Sequence, residues 1–173
     1  MSEVIEVKIE KLHPDVVTPE YKHDDDSGMD VRAFFSDEWL LKIHGNCLPA
    51  DSDKYRKFVL GYGGRAIIPT GIKVAIPNGY EIQVRPRSGM TYNSGITVIN
   101  TPGTVDAGYR GEIGIILHNT NIPDLHANPF VVNHGDRIAQ LVLQKVPKIK
   151  WIQVDSVDET ERGEGGFGST GTN

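Results

Sequence analysis

Residues 103–113 read Gly-Thr-Val-Asp-Ala-Gly-Tyr-Arg-Gly-Glu-Ile, a glycine-rich turn that leads into a segment of alternating apolar and polar residues. Asp106 stands inside this predicted turn, and Tyr109 follows three residues later. The surrounding glycines would let main chain approach a ligand closely. An acid in a tight turn beside an aromatic ring could act as a general base with a stacking surface. An ordinary hairpin explains the same residues equally well, because turns favour Asp and Gly.

Alternation with a period of two continues outward from this stretch. It runs through 112–118 and recurs at 5–10, 72–76 and 80–85. Such alternation predicts half-buried strands. Ten prolines and 19 glycines leave little room for long helices. Many short strands between turns predict a closed or sandwich-like all-β domain.

The bulk composition excludes several classes of function. A chain of 173 residues corresponds to about one domain, and its net charge of -5 argues against direct nucleic-acid binding, which needs a basic face. A single cysteine cannot form an intrachain disulfide, and the six histidines show no zinc-binding spacing. The N-terminus lacks the basic and apolar regions of a signal peptide, and no apolar run approaches membrane-span length. We therefore expect a soluble, cytoplasmic protein without a membrane partner.

Two segments depart from the strand pattern. Residues 36–64 are mixed in character, with a short helix allowed at 51–58, and they are interpreted as an insertion between strands. Most long loops of this kind are surface elaborations. The tail, 159–173, is rich in Gly, Ser, Thr and charge, and Phe167 is its only large apolar residue. Composition alone predicts that this tail is disordered.

Five separated segments carry unusual local chemistry, at 26–30, 85–89, 100–111, 135–141 and 162–171. Together and in this order they closely resemble the five motifs of the trimeric dUTP pyrophosphatase (dUTPase) family. The resemblance covers most of 24–171, apart from the stretch around 36–64. It implies a jelly-roll-like β-barrel formed by residues 1–157 and a flexible C-terminal arm, 158–173, that closes over an active site. It also implies a homotrimer with active sites shared between chains.

The same resemblance implies an activity. The family hydrolyses dUTP to dUMP and diphosphate, which limits uracil incorporation into DNA and supplies dUMP. Asp106 matches the catalytic acid, which activates the water that attacks the α-phosphorus. Asp30 matches an outer-shell residue that holds water bound to Mg²⁺. Magnesium suits such a role because it keeps several waters and binds mainly through substrate phosphates.

Four residues are candidates for binding the phosphates. Arg87, Ser88 and Gly89 offer a guanidinium, a hydroxyl and an unhindered amide, which fit phosphate oxygens; a plain turn after a strand explains them equally well. The resemblance implies that Arg87 and Ser88 contact the triphosphate. Gln140 is a polar residue inside an apolar strand, where burial without a partner would be costly. The resemblance assigns Gln140 to phosphate, although a neighbouring strand or a subunit interface could also satisfy it.

The nucleoside would bind in the hairpin. An Asn side chain carries both a donor and an acceptor, which fits the polar edge of uracil. The resemblance therefore implies uracil recognition by Asn100 and by the main chain of Gly103, Thr104 and Val105, with no room for a 5-methyl group. It also implies that Tyr109 packs on the deoxyribose and rejects a ribose 2′-hydroxyl sterically.

The resemblance changes the interpretation of the tail. Phe167 would stack on uracil and Arg162 would pair with phosphate, while Gly168, Ser169 and Thr170 would wrap the terminal phosphate. Such an arm orders on binding and excludes water. We expect it to be disordered without ligand.

Two alternative functions stay open at this stage. The dCTP deaminase family resembles dUTPases in fold, but its catalytic Glu falls on Ile116 here, and an isoleucine cannot transfer protons. The other alternative is a regulatory protein-binding role of the 36–64 insertion. Trp39, Phe58 and Tyr62 would then contact a protein partner.

Overall fold

The computed structural model describes residues 3–42, 47–48, 56–123 and 129–165. Short strands dominate this part of the chain, with two short helices between them. In chain order the elements are β1 (Lys8–Lys11), β2 (Met29–Arg32), α1 (Asp37–Lys42), β3 (Cys47–Leu48), β4 (Lys57–Leu60), β5 (Arg65–Pro69), β6 (Ile72–Ala75), β7 (Tyr80–Arg85), α2 (Ser88–Ser94), β8 (Ile96–Val98), β9 (Gly103–Asp106), β10 (Gly114–Asn119), β11 (Phe130–Asn133) and β12 (Arg137–Lys145).

The largest sheet of the described residues has four antiparallel strands in the order β2-β12-β7-β9. The alternation predicted at 80–85 is present, because Ile82 and Val84 are buried while their neighbours on β7 are partly exposed. Leu141 of β12 lies opposite Val84, and Val105 of β9 lies opposite Ile82. Directly opposed residues project to the same face of a sheet. One face of this sheet is therefore apolar and faces the core.

Three smaller sheets complete the described part of the domain, in the orders β5-β10-β8, β11-β4-β3 and β1-β6. Strand β10 alternates as predicted, with Ile115 and Leu117 fully buried. Buried side chains from all four sheets join one hydrophobic cluster, which includes Phe58 of β4 and Val132 of β11. The prediction of an all-β, jelly-roll-like fold is confirmed.

The 36–64 segment differs from its sequence-based interpretation. Residues 57–60, which overlap the predicted helix, form strand β4 and pair with β11. Phe58 is only 4% exposed, because alternation along β4 directs it into the core. Trp39 stacks on Phe35 with ring centroids 4.7 Å apart and meets Phe58 edge-on. Two of the three aromatic residues expected to contact a partner therefore pack inside the domain, while Tyr62 is partly buried.

Helix α1 has local reasons to form. The Ser36 hydroxyl oxygen accepts a hydrogen bond from the Trp39 main-chain N–H at 3.2 Å, which caps the first turn. Glu38 and Lys42 form an i,i+4 ion pair with a nitrogen–oxygen distance of 2.5 Å. The hydrogen bond from Lys42, together with its charge, lowers the pKa of the Glu38 carboxyl. The pair is exposed to solvent, so its contribution to stability is small.

A tight turn joins β5 to β6. Gly71 in this turn has a φ of 70°, in the left-handed region that favours glycine. A Cβ atom at Gly71 would lie 2.5 Å from Val16 Cγ2 and 3.1 Å from Phe34 Cδ1. Both the backbone conformation and the packing therefore require glycine, and the turn is tied to the core.

After β12, residues 146–165 run without helix or strand. This C-terminal segment exposes large apolar side chains, including Trp151 at 87% and Ile152 at 79%. Neither helix in the described residues is long and apolar enough to cross a bilayer. Residues 166–173, on which part of the predicted arm falls, lie outside the described residues.

Candidate active site

The outer face of the four-stranded sheet is polar. Gln140 lies directly opposite both Asp30 and Arg85, so these three side chains form one row across β2, β12 and β7. Thr104 and Asp106 of β9 are exposed on the same face, since they lie opposite Gln83 and Glu81 of β7. Residues from four of the five motif segments therefore share one side of one sheet.

Asp30 is held between two arginines at one end of this face. Its Oδ1 atom lies 2.8 Å from Arg87 Nε, and its Oδ2 atom lies 3.0 Å from an Arg137 guanidinium nitrogen. The side chains of Asp30 and Arg87 are each 26% exposed. Two guanidinium groups around one carboxylate leave a local excess of positive charge, which favours an anionic ligand. We call Asp30, Arg87 and Arg137 the arginine cluster.

Sequence reasoning assigned no role to Arg137. Its side chain reaches a residue 107 positions earlier, so this partner cannot be identified from local patterns. The only sequence signal was its place in the Gly135-Asp136-Arg137 motif. Beside the cluster is an open groove of about 310 Å³ that includes Gln140 and Arg85. Lys22 and His23 line it as well, together with the acidic Glu20 and Asp26, so this groove carries charges of both signs.

Helix α2 begins next to the arginine cluster. Arg87 has extended backbone angles and immediately precedes the helix, so Ser88 and Gly89 form its first turn. Both residues are exposed. The first turn of a helix leaves main-chain N–H groups without intrahelical partners. Ser88 and Gly89 thus present a hydroxyl and free amides close to Arg87, as their sequence predicts.

A cavity of about 180 Å³ lies in the hairpin that follows β8. Asn100, Asp106 and Tyr109 line it, together with the β9 residues between them. Gly103 is buried at its wall, and a Cβ atom there would lie 3.0 Å from the Asn100 amide nitrogen. The remaining lining residues are Val84, Glu112, Ile113, Gly114 and Ile116. The predicted nucleoside residues are therefore brought together around one cavity.

The structure places Asp106 at the end of β9, opposite Glu81, and not inside the turn as the sequence suggested. Long-range pairing with β7 extends β9 through Val105 and Asp106. The turn follows, and the Tyr109 main-chain N–H donates to the Asp106 carbonyl oxygen at 3.0 Å. Arg110 reinforces it by donating to two carbonyl oxygens of the same turn. The Asp106 carboxylate is exposed at the rim of the cavity, where water can reach it.

Glu112 makes contacts that sequence reasoning missed. Its Oε1 atom accepts hydrogen bonds from the main-chain N–H groups of Thr70 at 3.1 Å and Gly71 at 2.6 Å. Its carbonyl oxygen accepts a hydrogen bond from the Tyr109 hydroxyl at 2.9 Å. In the sequence Glu112 looks like the polar member of an alternating strand. Its partners in the β5–β6 turn lie about 40 residues earlier, so no local pattern indicates them.

The arginine cluster and the hairpin cavity are far apart within one chain. Asp30 and Asp106 lie on strands three positions apart in the sheet, and the rows that contain them are four residues apart along β7. At about 4.8 Å per strand and 3.3 Å per residue, their Cα atoms are about 19 Å apart. Neighbouring phosphates of one nucleotide are much closer together than this. The described residues of one chain therefore present two separate half-sites.

Of the predicted tail residues, the structure describes only Arg162. Arg162 lies in an exposed turn, and its Nε atom donates to the Gly165 carbonyl oxygen at 2.8 Å. The predicted contacts of Phe167, Gly168, Ser169 and Thr170 lie outside the described residues.

The carboxylates suit only indirect binding of a metal ion. Among residues 3–42, 47–48, 56–123 and 129–165, no group of three or more His, Cys, Asp or Glu side chains could hold a metal. Asp30 is one carboxylate whose oxygens already accept from two arginines. This donor set fits a magnesium ion that arrives on the substrate phosphates with its own waters.

Solved structures define the class of protein as an all-β chain of the dUTPase fold. The dUTPase of Staphylococcus bacteriophage 80alpha with dUpNHpp matches with a TM-score of 0.74 at 25% identity, covering 98% of this chain and 100% of that chain. A variant of the dUTPase from phage phi11 of S. aureus matches with a TM-score of 0.69 at 22% identity, covering 90% and 100%. That second structure is described as coordinating a structural Mg(II) ion.

A family model described as dUTPase matches residues 53–171. The deoxyuridine 5′-triphosphate nucleotidohydrolase of Syntrophotalea carbinolica is 44% identical over 167 residues, which cover 96% of this chain and 97% of that protein. The protein of the same name from Fusobacterium nucleatum is 43% identical over 156 residues, 90% of each chain. This chain therefore belongs to the dUTPase family.

Proposed function

We propose that this chain hydrolyses dUTP to dUMP and diphosphate, with Asp106 as the general base. The observation that carries the proposal is the hairpin cavity, which has an exposed carboxylate at its rim and an aromatic ring and an amide among its lining residues. Family membership supports the same activity. The reaction would lower dUTP, limiting uracil incorporation into DNA, and would supply dUMP.

Asp106 is suited to activate water. A general base must lie within hydrogen-bond reach of the proton that it abstracts, and an exposed carboxylate at the cavity rim allows this. The water loses its proton to Asp106 and attacks the α-phosphorus, and the bond to the bridging oxygen of diphosphate breaks. Strand pairing with β7 fixes the position of Asp106 before substrate binds.

Uridine would occupy the hairpin cavity. Asn100 and the main chain of Gly103, Thr104 and Val105 bind the uracil edge, while Tyr109 packs on the deoxyribose. Gly103 has no space for a side chain beside Asn100, which supports close contact between the base and main chain. Ile116 also lines the cavity, and its apolar side chain supports hydrolysis over deamination, which needs a proton-transferring group.

The triphosphate would bind at the arginine cluster. Arg87, Ser88, Gly89 and Gln140 supply donors that stabilise the charge developing on diphosphate. Asp30 would hold magnesium through water, and the metal, once bound, would neutralise phosphate charge. Together, these donors would hold the phosphates in one orientation relative to the attacking water.

Active sites would lie between chains of a homotrimer. One chain separates Asp106 from Asp30 by about 19 Å, so its own base cannot attack a nucleotide whose phosphates rest on its own arginines. A second copy can supply the missing half. The exposed apolar side chains of Ile149, Trp151 and Ile152 on the C-terminal segment supply surface for contact between copies.

The C-terminal arm, 158–173, would close over the site and complete it. Arg162 would leave its local bond to Gly165 and pair with phosphate, and Phe167 would stack on uracil. Gly168, Ser169 and Thr170 would surround the terminal phosphate with hydroxyl groups and main-chain amides. Closure of this arm would exclude water other than the nucleophile.

The activity is tested by measuring diphosphate release from dUTP, dCTP, dTTP and UTP with Mg²⁺. We expect selective turnover of dUTP. Release of ammonia from dCTP would show that the protein is a deaminase. A folded protein that turns over none of the four nucleotides would also contradict the proposal.

Subunit complementation tests whether sites are shared. Asp106→Asn and Arg87→Ala chains should each be inactive alone, because each breaks a different half-site. Mixed trimers that contain both chains should recover about a third of wild-type activity, since one of their three neighbour pairs combines two intact halves. Diphosphate release is measured on assemblies purified through a different tag on each chain.

The control for this test is the Asp106→Asn chain co-assembled with a chain that carries both substitutions, which has no intact site. Mixed assemblies that contain both single variants yet remain inactive would contradict sharing between chains.

The Gly103→Ala variant tests the base-binding wall. A new Cβ atom would lie 3.0 Å from the Asn100 amide nitrogen and 3.4 Å from Val84 Cβ, so the amide must move. We expect KM for dUTP to rise by about tenfold, equivalent to one displaced hydrogen bond. Gly108→Ala is the matched control, because a Cβ atom at Gly108 meets nothing within 4 Å. Equal kinetics for the two variants would contradict the assigned role of this wall.

A further inference from the structure

We propose that Glu112 is a positioning residue that fixes the Tyr109 ring and thereby sets the discrimination between deoxyribose and ribose. The inference rests on the proposed function, in which Tyr109 packs on the sugar. Glu112 lines the hairpin cavity and is partly buried. Its side chain contacts the Thr70–Gly71 turn and its main chain contacts Tyr109, so Glu112 connects the turn to the hairpin.

The side chain of Glu112 is anchored to a rigid turn. One carboxylate oxygen accepts from both Thr70 N–H and Gly71 N–H, at 3.1 and 2.6 Å. Hydrogen bonds to an ionised carboxylate are stronger than those between neutral groups. The turn itself cannot shift freely, because Gly71 packs against Val16 and Phe34 of the core. The carboxylate therefore ties the hairpin to a fixed point.

The main chain of Glu112 holds the aromatic ring. The Tyr109 hydroxyl donates to the Glu112 carbonyl oxygen at 2.9 Å. The ring folds back over Gly111, where a Cβ atom would lie 2.3 Å from the hydroxyl oxygen. The position of the ring thus depends on where the Glu112 carbonyl lies, and the anchored carboxylate restricts that position.

Neighbouring contacts should keep the fold intact when Glu112 is changed. The Ile113 main-chain N–H donates to the Ile72 carbonyl oxygen at 2.8 Å, and the Thr70 hydroxyl donates to the Ile113 carbonyl oxygen at 2.6 Å. These bonds do not involve the Glu112 side chain. Asp106 is held separately by the pairing of β9 with β7. Loss of the carboxylate should therefore loosen Tyr109 and leave the general base in place.

The inference predicts a specific kinetic pattern. In Glu112→Ala the ratio of kcat/KM for dUTP to kcat/KM for UTP should fall about tenfold, the effect of losing an anchoring charge-assisted interaction. KM for dUTP should rise while kcat changes less. Glu112→Gln keeps one acceptor oxygen and should lie between Ala and wild type. Glu10→Ala is the control, because Glu10 is an exposed carboxylate paired with Lys73 on another sheet.

A double-mutant cycle separates positioning through Tyr109 from a general effect on stability. Tyr109→Phe keeps the ring but loses its bond to the Glu112 carbonyl. If Glu112 acts through that bond, adding Glu112→Ala to Tyr109→Phe should lower the dUTP-to-UTP ratio less than it does in wild type. Melting temperatures of all variants are measured alongside the rates.

Two results would overturn the inference. One is an unchanged dUTP-to-UTP ratio in Glu112→Ala while wild type hydrolyses dUTP and rejects UTP; the proposed function would survive that result. The other is strict additivity in the cycle, which would mean that Glu112 acts independently of Tyr109. If the proposed function itself were wrong, wild type would release no diphosphate from dUTP. This result differs from both of the results that would overturn only the role of Glu112.

Discussion

Replacing Asp106 by Asn is expected to lower kcat for dUTP by about 10²–10⁴-fold, the usual contribution of a general base. The substitution keeps the size of the side chain and its place at the end of β9, but an amide cannot accept the proton of the attacking water. Affinity for dUTP should change little, because the other residues that line the cavity and the whole arginine cluster are unchanged. Diphosphate release measures the rate, and calorimetry with dUTP measures binding.

The matched control is Glu81→Gln. Glu81 lies directly opposite Asp106 on β7 and projects to the same face, so its neutralisation removes an equivalent negative charge from that surface. We expect Glu81→Gln to retain most of the activity. A comparable loss in both variants would assign the effect to surface charge and would contradict the role of Asp106 as the base.

The second large effect is expected on stability, from Leu117→Ala. Leu117 is fully buried on β10, the central strand of the β5-β10-β8 sheet. Truncating a buried leucine removes apolar contacts and leaves a cavity, which costs about 2–5 kcal/mol of unfolding free energy. Denaturant unfolding is followed by circular dichroism, with wild type and variant at the same chain concentration because the proposed homotrimer would make stability depend on concentration.

Ile122→Ala is the control for this prediction, because Ile122 is 80% exposed. We expect its unfolding free energy to change by no more than about 0.5 kcal/mol. If the Leu117→Ala variant is as stable as wild type, the prediction is wrong, and the core around β10 rearranges to fill the space.

The elements that the sequence predicted are those whose burial alternates locally. Strands β6, β7 and β10 bury every second residue, so their amino-acid pattern records their structure. Strand β9 was predicted as part of a turn, because its four residues become a strand only through pairing with β7. Residues 57–60 were misjudged for the same reason, since pairing with β11 determines their conformation.

In the candidate site, too, the sequence indicated residues that are close along the chain and missed contacts between distant segments. Asn100, Asp106 and Tyr109 lie within ten residues of one another, and the sequence alone grouped them. The contacts of Asp30 with Arg137, and of Glu112 with the Thr70–Gly71 turn, join distant parts of the chain. A resemblance of motifs identifies which residues matter, whereas the partners that hold them in place follow from sheet topology.

The C-terminal segment has a consequence for how the protein matures. The folded chain exposes Trp151 and Ile152 on a segment without helix or strand, and exposed apolar surface promotes aggregation between chains. In the proposed homotrimer, covering these side chains by assembly would compete with aggregation, and both processes quicken as chains become more concentrated. Refolding yield should consequently peak at an intermediate protein concentration, where copies meet often enough to assemble and rarely enough to avoid precipitation.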